Sequence, residues 1–303
     1  MPRDAHTARK RAAPRSAISR RRGPGRGRSY EYPDLLRTMA DALPAGPGVY
    51  FFHGEETDPP LYIGKSVNVR ARVLSHLRNR SEARMLRQTR RISHIATAGE
   101  IGALLLEARL IKQQQPLMNQ KLRRTWQLCS LHLRNGVPQV VYSKDVDFSA
   151  QSDLFGLFTG RHAALQWLRE LADAQHLCFG ALGLERLPRG RTCFRAMVGQ
   201  CAGVCRGDES RAAHDRRLLD RLDTLRLACW PYPGRIGLVE RCGEQCQIHV
   251  VRNWCYLGSA ADLAGALRLD TLAEGFDADG YRILCDPVLR GRVEIIPLPD
   301  ASG

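Results

Sequence analysis

Residues 48–72 read GVYFFHGEETDPPLYIGKSVNVRAR. Gly46-Pro47-Gly48 breaks the chain just before this stretch, and Val49-Tyr50-Phe51-Phe52 is a β-branched and aromatic run. Residues 54–60 are polar and turn-rich, and Leu61-Tyr62-Ile63 is a second apolar run that Gly64 is expected to end. Two such runs around a polar loop predict a long antiparallel hairpin. Working outward, residues 29–43 predict a lead helix that opens after Pro33 and is stopped by Pro44. Downstream, Val69, Val73 and Leu77 step along one face of a helix opening at Asn68. Arg84–Arg91 reads as another helix, Ile92–Thr97 as a strand, and Glu100–Gln114 as a helix ended before Pro116. The order predicts an α+β fold over 44–120, a small antiparallel sheet with helices packed on it.

The charge is unevenly placed. The 303 residues carry 46 Lys+Arg against 31 Asp+Glu, a formal net of +15. Residues 1–28 hold ten basic residues and one acid, with almost nothing apolar to bury, so they read as a disordered basic tail. Residues 61–126 hold fourteen basic residues and three acids, riding on periodic apolar positions. That is a folded basic surface, and internal ion pairs are too few to neutralise it, so it points at a phosphate backbone. Residues 127–303 are neutral, twenty-one of each sign. No long apolar run and no apolar stretch after the basic N-terminus occur, so neither a membrane span nor a secretory signal is expected, and the expected location is the cytoplasm.

Beyond 120 the texture predicts a second α+β domain over 121–303. Leu128–Leu133 and Val137–Tyr142 flank Asn135-Gly136, a hairpin signal. Leu154–Phe158 reads as a strand, Ala163–Ala174 and Arg211–Leu227 as helices, and the region from Gly237 as strands with one helix near 262–272. Asp277-Ala278-Asp279-Gly280 resembles a calcium loop but lacks the distal glutamate, so it reads as a turn.

Ten cysteines in an intracellular chain argue against a disulfide framework. Cys129, Cys229 and Cys285 lie amid apolar residues and read as buried small hydrophobes, and Cys242 and Cys246 as structural. Cys178, Cys193, Cys201 and Cys205 are different, because glycines among them let the chain bend until four thiolates converge. Four thiolates suit tetrahedral zinc or a 4Fe–4S cluster, and spacing does not separate the two.

Within the basic segment, Tyr50 and Tyr62 sit on adjacent predicted strands and can project from one face, with Lys65 and the next helix beside them. Two strand tyrosines are more often packing residues than chemistry. On that next helix Arg72 and His76 share a stripe, while Arg70 points about 200° away at ~100° per residue. Glu107 is a lone acid among leucines, read blandly as a helix-surface acid pairing with Arg109 or Lys112, and Asn119 follows Pro116.

GVY, YIGKSVNVRAR and ALLLEARLIKQQQPLMN together resemble the GIY-YIG endonuclease domain at the N-terminus of UvrC-like excision-repair nucleases, over about residues 44–120. From Tyr30 to the C-terminal strands the chain is similar to a short, stand-alone relative in that family. The resemblance implies hydrolysis of a DNA phosphodiester on the 3′ side of a lesion, in damaged double-stranded DNA marked by a UvrB-like partner. It implies catalytic roles for Tyr50, Tyr62, Lys65, Arg72, Glu107 and Asn119, with Glu107 as metal ligand and Gly64 as motif glycine. Met118 stands where relatives often carry an aromatic. It also implies an iron–sulfur cluster on Cys178, Cys193, Cys201 and Cys205, with zinc as the alternative. Gly64, Arg70, His76, Arg78, Arg87, Arg90 and Arg91 are the expected DNA-contacting set, and the neutral C-terminal domain is the expected docking surface for the partner.

Residue types give the chemistry. Cleaving a phosphodiester needs a base for water, neutralisation of extra charge on phosphorus and help for the leaving oxygen. A two-metal site needs several carboxylates, and the basic segment has only Glu82, Glu100 and Glu107. One Mg²⁺ or Mn²⁺ on Glu107, completed by water, is therefore expected. Tyr62 is the expected base, assisted by Lys65, with Arg72 neutralising the phosphate and Tyr50 orienting water or phosphate. Two other readings stay open: an autonomous nuclease of a mobile element, which cuts undamaged DNA alone, and a non-catalytic nucleic-acid-binding module.

Overall fold

The computed structural model describes residues 34–55, 59–119, 128–188, 191–269 and 276–299. The predicted basic tail lies outside the described residues. The first part of the chain forms α1 (Asp34–Asp41), β1 (Gly48–His53), β2 (Tyr62–Ser66), α2 (Val69–Arg78), α3 (Ala83–Gln88), β3 (Arg91–Ala96) and α4 (Glu100–Gln114). The strands make an antiparallel sheet in the order β2-β1-β3. β1 is central and buried along its whole length. Its alternation sends Val49 and Phe51, with Ile63 of β2, onto Leu106, Leu110 and Ile111 of α4. Tyr50 and Phe52 face the other way, and each ring centroid lies 5.4 Å from that of His76 on α2. Asn68 starts α2 as expected, its side chain accepting the Ala71 N–H at 2.9 Å.

Three expected boundaries move. The lead helix is confined to Asp34–Asp41 among the described residues. Gly64 does not end the second strand; it sits inside β2 directly opposite Tyr50. The helix expected over 84–91 stops at Gln88, because the Arg90 N–H turns to the His53 carbonyl and Arg91 already pairs with His53 in the sheet.

A second sheet, β5-β4-β6, is built from β4 (Cys129–Arg134), β5 (Val137–Tyr142) and β6 (Leu154–Phe158). Asn135 and Gly136 both adopt positive φ, 51° and 74°, the geometry a tight hairpin demands. Leu168 of α5 (Arg161–Ala174) and Leu218 and Leu222 of α7 (Arg211–Leu222) bury Leu131 and Phe155. Between these helices lies the short α6 (Phe194–Met197). The predicted helix over 211–227 ends early because Leu227 leaves to donate its N–H to the Leu154 carbonyl.

A third sheet, β10-β7-β8-β9, uses β7 (Ile236–Cys242), β8 (Gln245–Arg252), β9 (Cys255–Ala260) and β10 (Glu294–Pro297), joined by α8 (Leu263–Leu267) and α9 (Ala278–Leu289). Its core holds Leu238, Val251, Trp254 and Leu284, and Leu105 of α4 enters the same cluster. Asp277–Gly280 is not a free turn. The Asp277 side chain accepts the Asp279 N–H at 3.1 Å and caps α9. Pro287 in its last turn obscured this helix, since a proline in a helical pattern reads as a stop. Cys129 is buried as expected, whereas Cys229 and Cys285 are half-buried. The observed class is α+β, and among the described residues no helix is long and apolar enough to cross a membrane.

Candidate active site

The edge of β2 organises the site. Among the described residues only β1 pairs with this strand, so the groups of residues 61, 63 and 65 that face away from β1 need other partners. The Met118 N–H donates to the Leu61 carbonyl at 2.7 Å. Asn119 is buried and clasps Ile63, its Oδ1 accepting the Ile63 N–H at 2.9 Å and its Nδ2 donating to the Ile63 carbonyl at 2.8 Å. Glu107 completes the row, its Oε1 accepting the Lys65 N–H at 3.1 Å. The carboxylate on α4 is thereby fixed beside the strand that carries Tyr62. The Lys65 ammonium turns instead to Glu100 Oε1 at 2.6 Å.

On the face lined by α2, Tyr50 is 1% exposed and its hydroxyl lies 2.6 Å from His76 Nε2. The opposite ring nitrogen, Nδ1, is paired with Glu82. The network assigns the neutral tautomer in which Nδ1–H donates to the carboxylate and Nε2 accepts from the Tyr50 hydroxyl. The pKa directions agree. Burial lowers the imidazole, more than Glu82 restores it, and burial with the neighbouring Tyr62 pushes the Tyr50 phenol far above its ordinary value. Tyr50 is therefore a phenol, and the positive charge of Arg72 only partly offsets the rise. Gly64 permits this arrangement, because a Cβ there stands 2.4 Å from Tyr50 Oη and 2.8 Å from Tyr62 Cε1. Nothing larger than a hydrogen fits.

Tyr62, Arg72, His76 and Glu82 line one cleft of about 620 Å³, whose floor and rim include Arg84, Met85, Gln88, Leu117 and Met118. Tyr62 is half-buried, and burial raises its phenol, as does Glu107, against the lowering effect of Arg72. Before any cation binds, the expected base is thus held protonated. Burial also raises Glu107, offset in part by the Lys65 N–H. Among the described residues no cluster of three or more His, Cys, Asp or Glu ligands includes Glu107. One hard carboxylate at a half-buried position suits a Mg²⁺-type ion that keeps most of its water.

The expected DNA-contacting residues divide. Arg78 of α2, Arg87 of α3, Arg90 between α3 and β3, and Arg91 at the start of β3 are exposed. Arg70 is exposed but its Nε is bound to the Leu43 carbonyl at 2.5 Å, tying α2 to the end of α1. His76 is buried with both nitrogens engaged inside the protein, and Gly64 lies under the tyrosines. Glu82 and Glu100, counted in the sequence only as too few carboxylates for two metals, are given a place at the site by the structure. The available signal was scarcity, since all three acids of the basic segment end in hydrogen bonds at the site.

The four cysteines converge as predicted. The sulfurs of Cys178, Cys193, Cys201 and Cys205 all lie within 4.8 Å of one another, three of the residues being buried. Cys193 caps α6, and its sulfur stands 3.8 Å from that of Cys178 and 3.5 Å from that of Cys205.

A three-stranded sheet bearing GVY and YIG tyrosines, an arginine on the following helix and a glutamate on the last helix defines a GIY-YIG endonuclease. The UvrC-like GIY-YIG domain pattern matches residues 46–120, the UvrC/Cho excinuclease middle domain 120–224, and the excinuclease Cho C-terminal domain 235–302. The chain belongs to the excinuclease Cho family. Excinuclease cho of Escherichia coli K12 is 56% identical over 273 residues, 90% of this chain and 92% of that one. Excinuclease cho of Salmonella typhimurium LT2 is 56% identical over 269 residues, 89% of this chain and 92% of the relative. UvrABC system protein C of a Cyanothece species is 33% identical over 185 residues, 57% of this chain and 28% of that protein. Among solved structures, the GIY-YIG N-terminal endonuclease domain of UvrC from Thermotoga maritima, bound to its catalytic magnesium, is 30% identical, covering 29% of this chain and 98% of that one with a TM-score of 0.27. The protein is a nuclease of nucleotide excision repair.

Proposed function

We propose that this excinuclease cuts the damaged strand on the 3′ side of a lesion, within a UvrB–DNA complex, by metal-dependent hydrolysis. The observation that carries the reading is one cleft that presents a tyrosine and an arginine beside a strand whose outer edge holds a glutamate. Arg72 is exposed at the cleft and carries the charge that draws in a phosphate. Glu107 would hold one Mg²⁺ or Mn²⁺, which supplies Lewis-acid charge for the phosphate oxygens and the leaving group. Tyr62 first gives its hydroxyl proton to solvent, and the resulting phenolate takes the proton of the attacking water. Tyr50, its hydroxyl proton given to His76, keeps an acceptor oxygen that orients Arg72 or the attacking water. Lys65 and Asn119 position β2, and Arg78, Arg87, Arg90 and Arg91 contact the flanking backbone.

Recognition of the lesion is delegated, because phosphate contacts carry no information about damage. On a duplex with a single defined lesion, Mg²⁺ and a UvrB-like protein should both be required for incision. Equal cutting of undamaged DNA without the partner contradicts the delegation.

For the four cysteines we propose a metal centre with all four thiolates as ligands. The family resemblance supports a 4Fe–4S cluster. The sulfur spacing of 3.5 and 3.8 Å favours one tetrahedral ion, since ~2.3 Å bonds give an edge of about 3.8 Å, whereas a cubane needs the thiolates to spread. Iron and sulfide against zinc content, measured on anaerobically purified protein, distinguishes them, and protein holding neither contradicts the site.

A further inference from the structure

Helix α4 carries Glu107, yet its own N-cap, Gly99, has no side chain to satisfy the first free N–H groups. Glu240, on β7 of the C-terminal sheet, supplies what is missing. Its Oε1 accepts the Ile101 N–H at 2.9 Å and its Oε2 the Gly102 N–H at 2.7 Å. The same Oε2 is 2.9 Å from Nε2 of the fully buried His249 on β8. His249 Nδ1 is 2.7 Å from Ser259 Oγ, and Ser259 meets the Tyr256 hydroxyl at 2.5 Å. A few residues before the helix, Gln247 Oε1 accepts the Ala98 N–H at 2.9 Å.

The fit leaves no slack. A Cβ on Gly99 stands 2.2 Å from Glu240 Oε1, and one on Gly102 stands 2.6 Å from His249 Cε1. Gly99 is in extended backbone, so close approach rather than strain demands glycine there. Burial alone raises the Glu240 carboxyl, but His249 and the two N–H groups reverse this and hold it below the ordinary range, as an acceptor at the positive end of a helix should be. The same sheet and its α9 grip α4 further along. Leu105 enters the C-terminal core, Arg109 lies 6.0 Å over the Tyr256 ring, and Lys112 pairs with Asp277 and Asp279 at 2.7 and 3.0 Å.

We propose that Glu240, oriented by His249, is a positioning residue for the hydrolytic site: the C-terminal sheet caps α4 from outside and thereby sets where Glu107 stands beside β2. The inference rests on the reading of Glu107 as the ion-holding residue. One face of a domain that reads as a partner-docking module is thus spent on the catalytic helix.

The test uses the full chain with Glu240→Ala, Glu240→Gln and, as control, Arg241→Ala, which breaks only an exposed pair with Glu294. Two quantities are read: amide exchange at Ile101 and Gly102 in metal-free protein, and the Mg²⁺ concentration giving half-maximal incision, alongside KM for DNA. Glu240→Ala should speed exchange at both amides and raise the half-activating Mg²⁺ concentration by about tenfold, the usual scale for losing an outer partner of a metal ligand. KM for DNA should not move, and Arg241→Ala should match wild type. Glu240→Gln keeps one acceptor oxygen and should fall between, and it carries the test where the alanine variant does not fold. Wild-type exchange in Glu240→Gln overturns the cap. Faster exchange with wild-type Mg²⁺ dependence overturns the coupling to Glu107. Should Glu107→Gln itself retain incision, the ion-holding reading fails while the exchange result still stands or falls alone.

Discussion

Glu107→Gln should lower incision by about 10³-fold or more, because it removes the carboxylate that anchors a cation worth several kcal/mol of transition-state stabilisation. DNA binding should persist, since the exposed arginines are untouched. Glutamine also keeps an oxygen for the Lys65 N–H, so β2 and α4 stay joined. The same substitution should raise the melting temperature of the metal-free protein at neutral pH. Burial raises the folded-state pKa of Glu107 above its unfolded value. Its contribution to stability is therefore full below the unfolded pKa and is lost as pH rises through the folded pKa. At neutral pH the charge is a burden that glutamine lacks, and at acid pH the gain should vanish. Calorimetry of chelator-treated protein across pH reads both trends; a lower melting temperature at neutral pH contradicts the burial argument.

Tyr62→Phe should reduce kcat by about 10²- to 10⁴-fold, the usual contribution of a general base, with KM for DNA little changed. The pH profile is the sharper readout. Burial and Glu107 push the Tyr62 phenol up, so phenolate is a minor form at neutral pH and wild-type kcat should climb as pH rises into the alkaline range. In the phenylalanine variant the residual rate should be flat over that range. An undiminished alkaline rise in the variant places the base elsewhere.

The hairpin and its tyrosines were legible because β-branched and aromatic runs around a turn-rich loop leave few alternatives, and Asn135-Gly136 announced a second hairpin for the same reason. The convergence of four cysteines was also legible, as glycines between thiols permit the bend. What the sequence hid depends on pairing across long separations. That Gly64 lies in mid-strand follows from the Tyr50 ring covering it, and the clasp of Asn119 on Ile63 follows from β2 being an edge strand. His76, on the stripe with Arg72, reads as a phosphate contact until Glu82 and Tyr50 are seen on its two nitrogens. No local pattern in residues 98–102 announces that Glu240 supplies their cap.

The central claim, a single tyrosine–arginine–glutamate site making one directed cut, is tested most directly by mapping incision on a duplex with one defined lesion, each strand labelled at each end in turn. With Mg²⁺ and the UvrB-like partner, wild-type protein should yield one cut, in the damaged strand, on the 3′ side, and Glu107→Gln should yield none. A cut on the 5′ side, cuts in both strands, or an unchanged cut by Glu107→Gln contradicts the account.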